Sequence, residues 1–424
     1  MSRRAFENIL LYVVFVAIYC FQLDTIPPKL EIFEVWVDNY LPILDMSWGR
    51  KFKELLTIQS NDSNAAINAP VWLMLVRISR ALFGDGPFGY RLPGALLSAL
   101  SPVLTAELVR RFYRKDMAVW VGILVGAQQY AISFARTGGY IGPTLSLLLA
   151  IIVCASIIAF ENRRWAWIPF LLCVSIEPFF YATIRYLAGI GFLIILCQFV
   201  RSSNFRRFHR TPLMLAVIFL LGWAYLLTQG GRKDIVFLYI SGRGEQFLLT
   251  ERDLGNGNAA APESSVERMQ KVFTKMAPER INNLYEFYSN GRRFFNARHQ
   301  DKHYDSLWRI GRPWFLGLLL IGLLRCAVES FRNSRYLIVL GWWLLTWVPL
   351  LATTGISPNR LFLGLPAEMF IMALALFIPV DLVHRYLPGR WSIVPRVAAG
   401  CLVLFFAWRS VYYYFSDYIN YPNA

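Results

Sequence analysis

Asp38 stands in V-W-V-D-N-Y (35–40), beyond the first apolar run and flanked by Trp36 and Tyr40. A carboxylate in an aromatic, partly desolvated rim can take a proton from an attacking hydroxyl, which is the work of a general base. Four arginines also stand where apolar runs end or begin. They are Arg91 in Y-R-L-P-G-A, Arg136 in S-F-A-R-T-G-G-Y-I-G-P-T, Arg185 in A-T-I-R-Y and Arg360 in S-P-N-R-L-F-L-G-L-P. Guanidiniums converging on one face suit a phosphate group, which they bind with forked charge-assisted hydrogen bonds. The glycines after Arg136 let the backbone come close to a ligand. The bland alternative for any one of these arginines is snorkelling to lipid headgroups. For Asp24, Glu31, Glu34, Asp45 and Asp62 it is simple solvation at an interface.

His299 and His303 in R-H-Q-D-K-H-Y-D are four apart and would share a helix face, with Asp301 and Asp305 nearby. A divalent metal is one occupant for such a group; a solvated amphipathic helix is the other reading. Together with Tyr40 and Tyr140, these histidines are candidates for an acceptor or loop site. A Walker-type phosphate loop, a G-x-S-x-G elbow and a dinucleotide fingerprint are all absent, and no cofactor is indicated beyond that metal. The outer acid and the arginines are the only constellation the chain offers.

The elements that must position these residues are membrane helices. The chain has 424 residues, of which 56% are hydrophobic, 16% aromatic and only 17% charged. A soluble domain carries about a quarter charged residues. Apolar runs near 20 residues, the length that crosses a bilayer core, recur throughout. The first run follows M-S-R-R but ends in Y-C-F-Q, without a small-residue cleavage site, so it reads as a retained helix. The expected fold is an all-α polytopic membrane protein with about eleven spans: 7–23, 92–110, 117–135, 141–160, 165–180, 183–200, 211–229, 313–330, 335–354, 361–380 and 393–413. The N-terminus is then cytoplasmic and the C-terminus periplasmic.

Charge supports that orientation. The segments assigned inside carry two to four basic residues each, for example Arg110, Arg111, Arg114 and Lys115, or Arg201, Arg206, Arg207 and Arg210. The three short outer loops carry one each, Arg136, Arg185 and Arg360, as the positive-inside bias requires. Residues 69–84 form too short a run to span and place Arg77 and Arg80 on one side, so they are expected to lie in the interface plane. Residues 1–229 therefore form an N-terminal membrane module whose long outer loop, 24–91, makes the active-site face. Residues 230–312 form a small outer unit, and 313–424 the last membrane helices. The net charge of +16 is clustered in loops rather than laid along a basic stripe with exposed aromatics, so nucleic acid is not an expected partner. All six cysteines fall within apolar runs without metal-ligand spacing and read as packing residues.

Three stretches carry a family resemblance. N-A-P-V-W-L-M-L-V-R-I-S-R-A-L-F-G-D-G-P-F-G-Y-R-L-P-G-A-L-L (68–97) resembles the P-P-L-Y-Y…L-F-G…R-L-P-S-A segment of the dolichyl- and undecaprenyl-phosphate-sugar glycosyltransferases. This is the GT-C group that includes protein O-mannosyltransferases and the aminoarabinose transferases of lipid A. S-F-A-R-T-G-G-Y-I-G-P-T is similar to that group's S-R-E-A-R-x-Y-A-L-L region, and P-N-R-L-F-L-G-L-P-A to its P-R-Y-L-L-P-L-P segment. The resemblance implies transfer of a sugar from a polyprenyl-phosphate donor to a lipid, protein or glycan on the outer side, with inversion. Asp38 would then be the general base, and Arg91, Arg136 and Arg360, with Arg185, would hold the departing phosphate. The expectation of a bacterial inner membrane, with membrane lipid as surroundings, rests on the short inside loops and the lack of an ER-retention tail. Asn39 stands where the group usually has Glu, and Thr137 where a Glu often follows the Arg. Their absence points to a metal-independent enzyme, or to a non-catalytic subunit that holds a lipid-linked sugar for a partner. A transporter would want acids at mid-membrane, and only Glu107 and Glu368 approach that description.

Overall fold

A computed structural model describes residues 2–25, 70–137, 139, 141–177, 184–229, 306–352, 362–386 and 393–420. The described residues are helical throughout, with no strand among them. In chain order the helices are α1 Arg3–Cys20, α2 Pro70–Phe83, α3 Pro87–Ser98, α4 Leu100–Phe112, α5 Ala118–Gly126, α6 Gln129–Arg136 and α7 Ile141–Glu161. They continue as α8 Trp167–Ile176, α9 Ile184–Arg201, α10 Ser203–Gln229, α11 Ser306–Arg332, α12 Tyr336–Ala352, α13 Leu365–Leu376, α14 Ile378–Tyr386 and α15 Ile393–Asn420.

Four of these stretches are long and apolar enough to cross a membrane: 87–112, 141–161, 365–386 and 393–416. A fifth, α5 with α6, passes the same test as a pair bent by 58°. The bundle is an integral membrane protein. Its outward surface is apolar where a soluble protein's would be polar, as Leu172 (56% exposed), Met214 (56%), Ile218 (63%) and Leu324 (69%) show. α7 lies at the centre, with nearly its whole length buried against α4, α8 and α9.

The expected single span over 117–135 is a broken one. α5 ends at Gly126, Gln128 takes an extended conformation (φ −64°, ψ 138°), and α6 sets off in a new direction. Neither proline nor a glycine pair marks the break in sequence. Tertiary contacts hold it instead: the Phe15 ring of α1 packs so tightly on Gly126 that no Cβ fits there. The Tyr19 hydroxyl donates to the Gly126 carbonyl (2.8 Å), one of the helix-end carbonyls that have no intrahelical donor. α11 and α13 also meet at backbone distance, because a Cβ on Gly322 would run into the Ile371 carbonyl.

α2 matches the short amphipathic helix expected at 69–84. It buries Trp72, Leu73 and Val76 and exposes Ile78, Leu82 and Phe83. Arg80 pairs with Asp85 (2.7 Å) and lies over the Tyr90 ring (4.5 Å), which fastens the end of α2 to α3.

Candidate functional site

Two ends of the bundle gather the chain's charged groups. At one end the residues that open α1 meet the last turn of α4. Glu107 accepts from Arg4 and Arg111, and Arg110 bridges Asn8 (2.7 Å) and Glu7 (2.9 Å). Arg111 reaches on to both carboxylate oxygens of Glu161 at the end of α7 (2.9 Å each). In the turn after α4, Arg114 makes a forked pair with Asp381 of α14 (2.6 and 2.7 Å), and Arg325 of α11 joins the same carboxylate. Burial alone would lower the Arg114 pKa. The hydrogen bonds to Asp381 and Asp116 outweigh it and hold the guanidinium more firmly charged than a free arginine.

The opposite end contains Arg91 and Arg136, both fully buried. Arg136 donates through Nη1 to the carbonyls of Tyr19 (2.8 Å) and Ile18 (3.3 Å), and through Nη2 to that of Gln22 (3.1 Å). Arg91 donates to the Leu23 carbonyl (2.9 Å). These carbonyls belong to the last turn of α1 and the turn that follows it, where Gln22 adopts a left-handed conformation (φ +47°). The final carbonyls of a helix lack intrahelical donors and carry the negative end of its dipole, so a buried cation is a strong cap for them. The Phe415 ring near the end of α15 closes over the Arg136 guanidinium (4.9 Å) and stacks edge-on with Phe21 (5.3 Å). α1, α3, α6 and α15 are thus joined at the point where the chain leaves for its 24–91 segment.

The sequence suggested these two arginines as phosphate ligands, and here their guanidiniums reach main-chain carbonyls of α1 and of the turn after it. Arg185 stands in the first turn of α9, and its side chain lies outside the described ones. Asp38, Tyr40, Tyr140, His299, His303 and Arg360 lie outside the described residues. Among the described residues no group of three or more His, Cys, Asp or Glu could hold a metal ion.

The structure adds polar groups that periodicity alone does not single out. Gln128, at the α5–α6 break, is buried and donates to the Met369 sulfur (3.2 Å). Glu368, which precedes Met369 in sequence, sits in the first turn of α13. Gln129 Oε1, Thr137 Oγ1 and Ser98 Oγ are buried without a hydrogen-bond partner among the described residues. Unsatisfied buried polar atoms are uncommon and call for an explanation such as a bound polar ligand or water. Thr137 follows Arg136 directly, and Gln129 and Ser98 lie about 10 Å farther along α6 and α3 from Arg136 and Arg91.

No family model and no curated protein sequence matches the chain. Solved structures do. ArnT from Cupriavidus metallidurans, bound to undecaprenyl phosphate, superposes over 99% of this chain and 76% of its own with a TM-score of 0.53 at 12% identity. The oligosaccharyltransferase AglB from Archaeoglobus fulgidus, in complex with an inhibitory peptide and a dolichol-phosphate, superposes over 97% of this chain with the same TM-score and identity. This chain spans 56% of the AglB length. Both are GT-C glycosyltransferases. The fold is GT-C.

Proposed function

We propose that this GT-C chain is a membrane glycosyltransferase that moves a sugar from a polyprenyl-phosphate donor to an acceptor on the outer side. The observation that carries the proposal is the fold likeness over 99% of the chain to ArnT, a protein seen with undecaprenyl phosphate. In the reaction, an acceptor hydroxyl oxygen attacks the anomeric carbon as the carbon–oxygen bond to phosphate breaks. The hydroxyl proton passes to the Asp38 carboxylate, and polyprenyl phosphate leaves with the bonding electrons. One base and no protein nucleophile give inversion. Arg360 and Arg185 stabilise the charge that develops on the leaving phosphate, which fixed cations do best in a water-poor site. Arg91 and Arg136 act at one remove, by fixing the end of α1 from which the segment bearing Asp38 departs.

The eleven-span reading, with the N-terminus inside and the C-terminus outside a bacterial inner membrane, belongs to the same proposal. In its favour, the Arg4 end joins the start of α1 to the ends of α4, α7 and α14, while the Arg136 end joins the close of α1 to the start of α3 and the last turns of α6 and α15. That alternation is what successive crossings require.

Asn39, in place of the usual second acid, favours one other reading: a subunit that binds the lipid-linked sugar for a partner enzyme. The deciding experiment is sugar transfer in proteoliposomes from a panel of labelled polyprenyl-phosphate donors, run beside donor binding. Transfer by the wild type, with Asp38→Asn binding donor but not turning over, supports the enzyme. Donor binding with no transfer across the panel sinks the enzyme and leaves the subunit.

A further inference from the structure

The arginines at the Arg4 end fall into two kinds. Arg110, Arg111, Arg114 and Arg325 meet carboxylates. Those around the start of α8 and the start of α10 do not. Between residues 162 and 229 the one carboxylate is Glu177. It caps the far end of α8, about 20 Å from Arg163 and Arg164 at a rise of 1.5 Å per residue. Arg163, Arg164, Arg206, Arg207 and Arg210 are all exposed, and none forms an ion pair among the described residues.

Contacts hold this group together. Arg164 donates through Nη2 to the Phe208 carbonyl (2.8 Å), and its guanidinium lies 3.9 Å from the centre of the Phe208 ring. Beneath it is His209, fully buried against Phe205 (4.3 Å) and Phe208 (4.9 Å). Trp167 Nε1 donates to His209 Nδ1 (3.1 Å). An indole nitrogen can only donate, so the neutral imidazole carries its proton on Nε2. That Nε2 has no partner among the described residues. Burial first, then the Arg164 charge, lower the His209 pKa and keep the ring neutral.

The depth of the group is fixed by its surroundings. Ile168 (67% exposed) and Leu172 (56%) follow on α8, and Met214 (56%) and Leu215 (61%) follow on α10, so the lipid-facing surface begins within about a turn of the arginines. Trp165, 57% exposed, lies at the same level, the depth tryptophan favours at a membrane–water boundary. Five exposed cations with no carboxylate paired to them among the described residues, at headgroup depth, match a phosphodiester.

We propose that the junction of α8 and α10 is a binding site for the headgroup of an anionic phospholipid. Arg206, Arg207 and Arg210 present the charge, Arg163 and Arg164 border it, and Trp165 lies against the glycerol and acyl region. The site is independent of the glycosyl-transfer reading and lies at the other end of the bundle from Arg91 and Arg136.

The test uses the full chain in neutral detergent, with phosphatidylglycerol and phosphatidylcholine of identical acyl chains, and retained lipid counted by native mass spectrometry. Two double variants, R206Q/R207Q and K115Q/R385Q, remove the same charge from exposed positions at the same end. The expected result is selective retention of phosphatidylglycerol by the wild type and by K115Q/R385Q, with affinity at least about tenfold weaker in R206Q/R207Q. Equal retention of both lipids, or an equal loss in both variants, overturns the site. So does protection against thermal unfolding by inorganic phosphate as large as that by phosphatidylglycerol, or binding of polyglutamate by a wild type that retains no anionic lipid.

Discussion

At one end of this bundle five guanidiniums meet carboxylates; at the other, two buried ones meet the main chain. Arg4, Arg110, Arg111, Arg114 and Arg325 join helix to helix through Glu7, Glu107, Glu161 and Asp381. Arg91 and Arg136 instead hold the carbonyls at residues 18, 19, 22 and 23. The difference teaches what each end is for. Carboxylate pairing locks side chains and leaves the path of the backbone alone. Carbonyl capping fixes the backbone itself, and it does so where the chain departs toward Asp38. The first end is a brace between helices, and the second fixes the point where the chain leaves α1, which the proposed function makes the mouth of the site.

The strongest test of that distinction is chemical. Asp38→Asn is expected to lower sugar transfer by about 10²–10⁴-fold, the usual contribution of a general base, with thermal unfolding unchanged. A fall in stability equal to the fall in activity would make Asp38 a structural residue and remove the chemistry from the mouth. The next largest effect is expected at the brace. Glu107 is only 13% exposed and holds three arginines, so Glu107→Gln should cost about 3–5 kcal/mol in detergent unfolding, as breaking a buried ion pair does.

Arg136→Ala should cost less, about 2–3 kcal/mol, through the lost charge-assisted bonds to α1. It should also reduce transfer at saturating donor more than it weakens donor binding, as a positioning residue would. Were Arg136→Ala instead to abolish donor binding with stability intact, direct phosphate contact would replace the clamp. The smallest effect is expected for Arg3→Ala. Its pair with Glu7 leaves Arg3 92% exposed, and the loss should stay below about 0.5 kcal/mol. A larger loss would mean that the brace extends to the very start of α1.

Much of the architecture was legible from periodicity and run length. The 69–84 stretch reads as a short amphipathic helix because two arginines interrupt an apolar face, and α2 is such a helix. The break at Gln128 was not legible. Its causes, the Phe15 ring and the Tyr19 hydroxyl, are more than 100 residues away along the chain. Arg91 and Arg136 stood out in the sequence, but the carbonyls they reach did not. Sequence shows a cation at a helix end and leaves open whether a phosphate, a headgroup or a carbonyl receives it.

By itself, then, the sequence determined that this is a helical membrane protein and where most of its helices lie. Apolar length and loop charge are local properties, and the bilayer responds to them directly. Only the tertiary structure decided which partner each charge takes. Arg136 finds Ile18 across 118 positions and Arg114 finds Asp381 across 267. A buried guanidinium has to be satisfied, but the group that satisfies it is chosen by whichever helix the packing brings alongside.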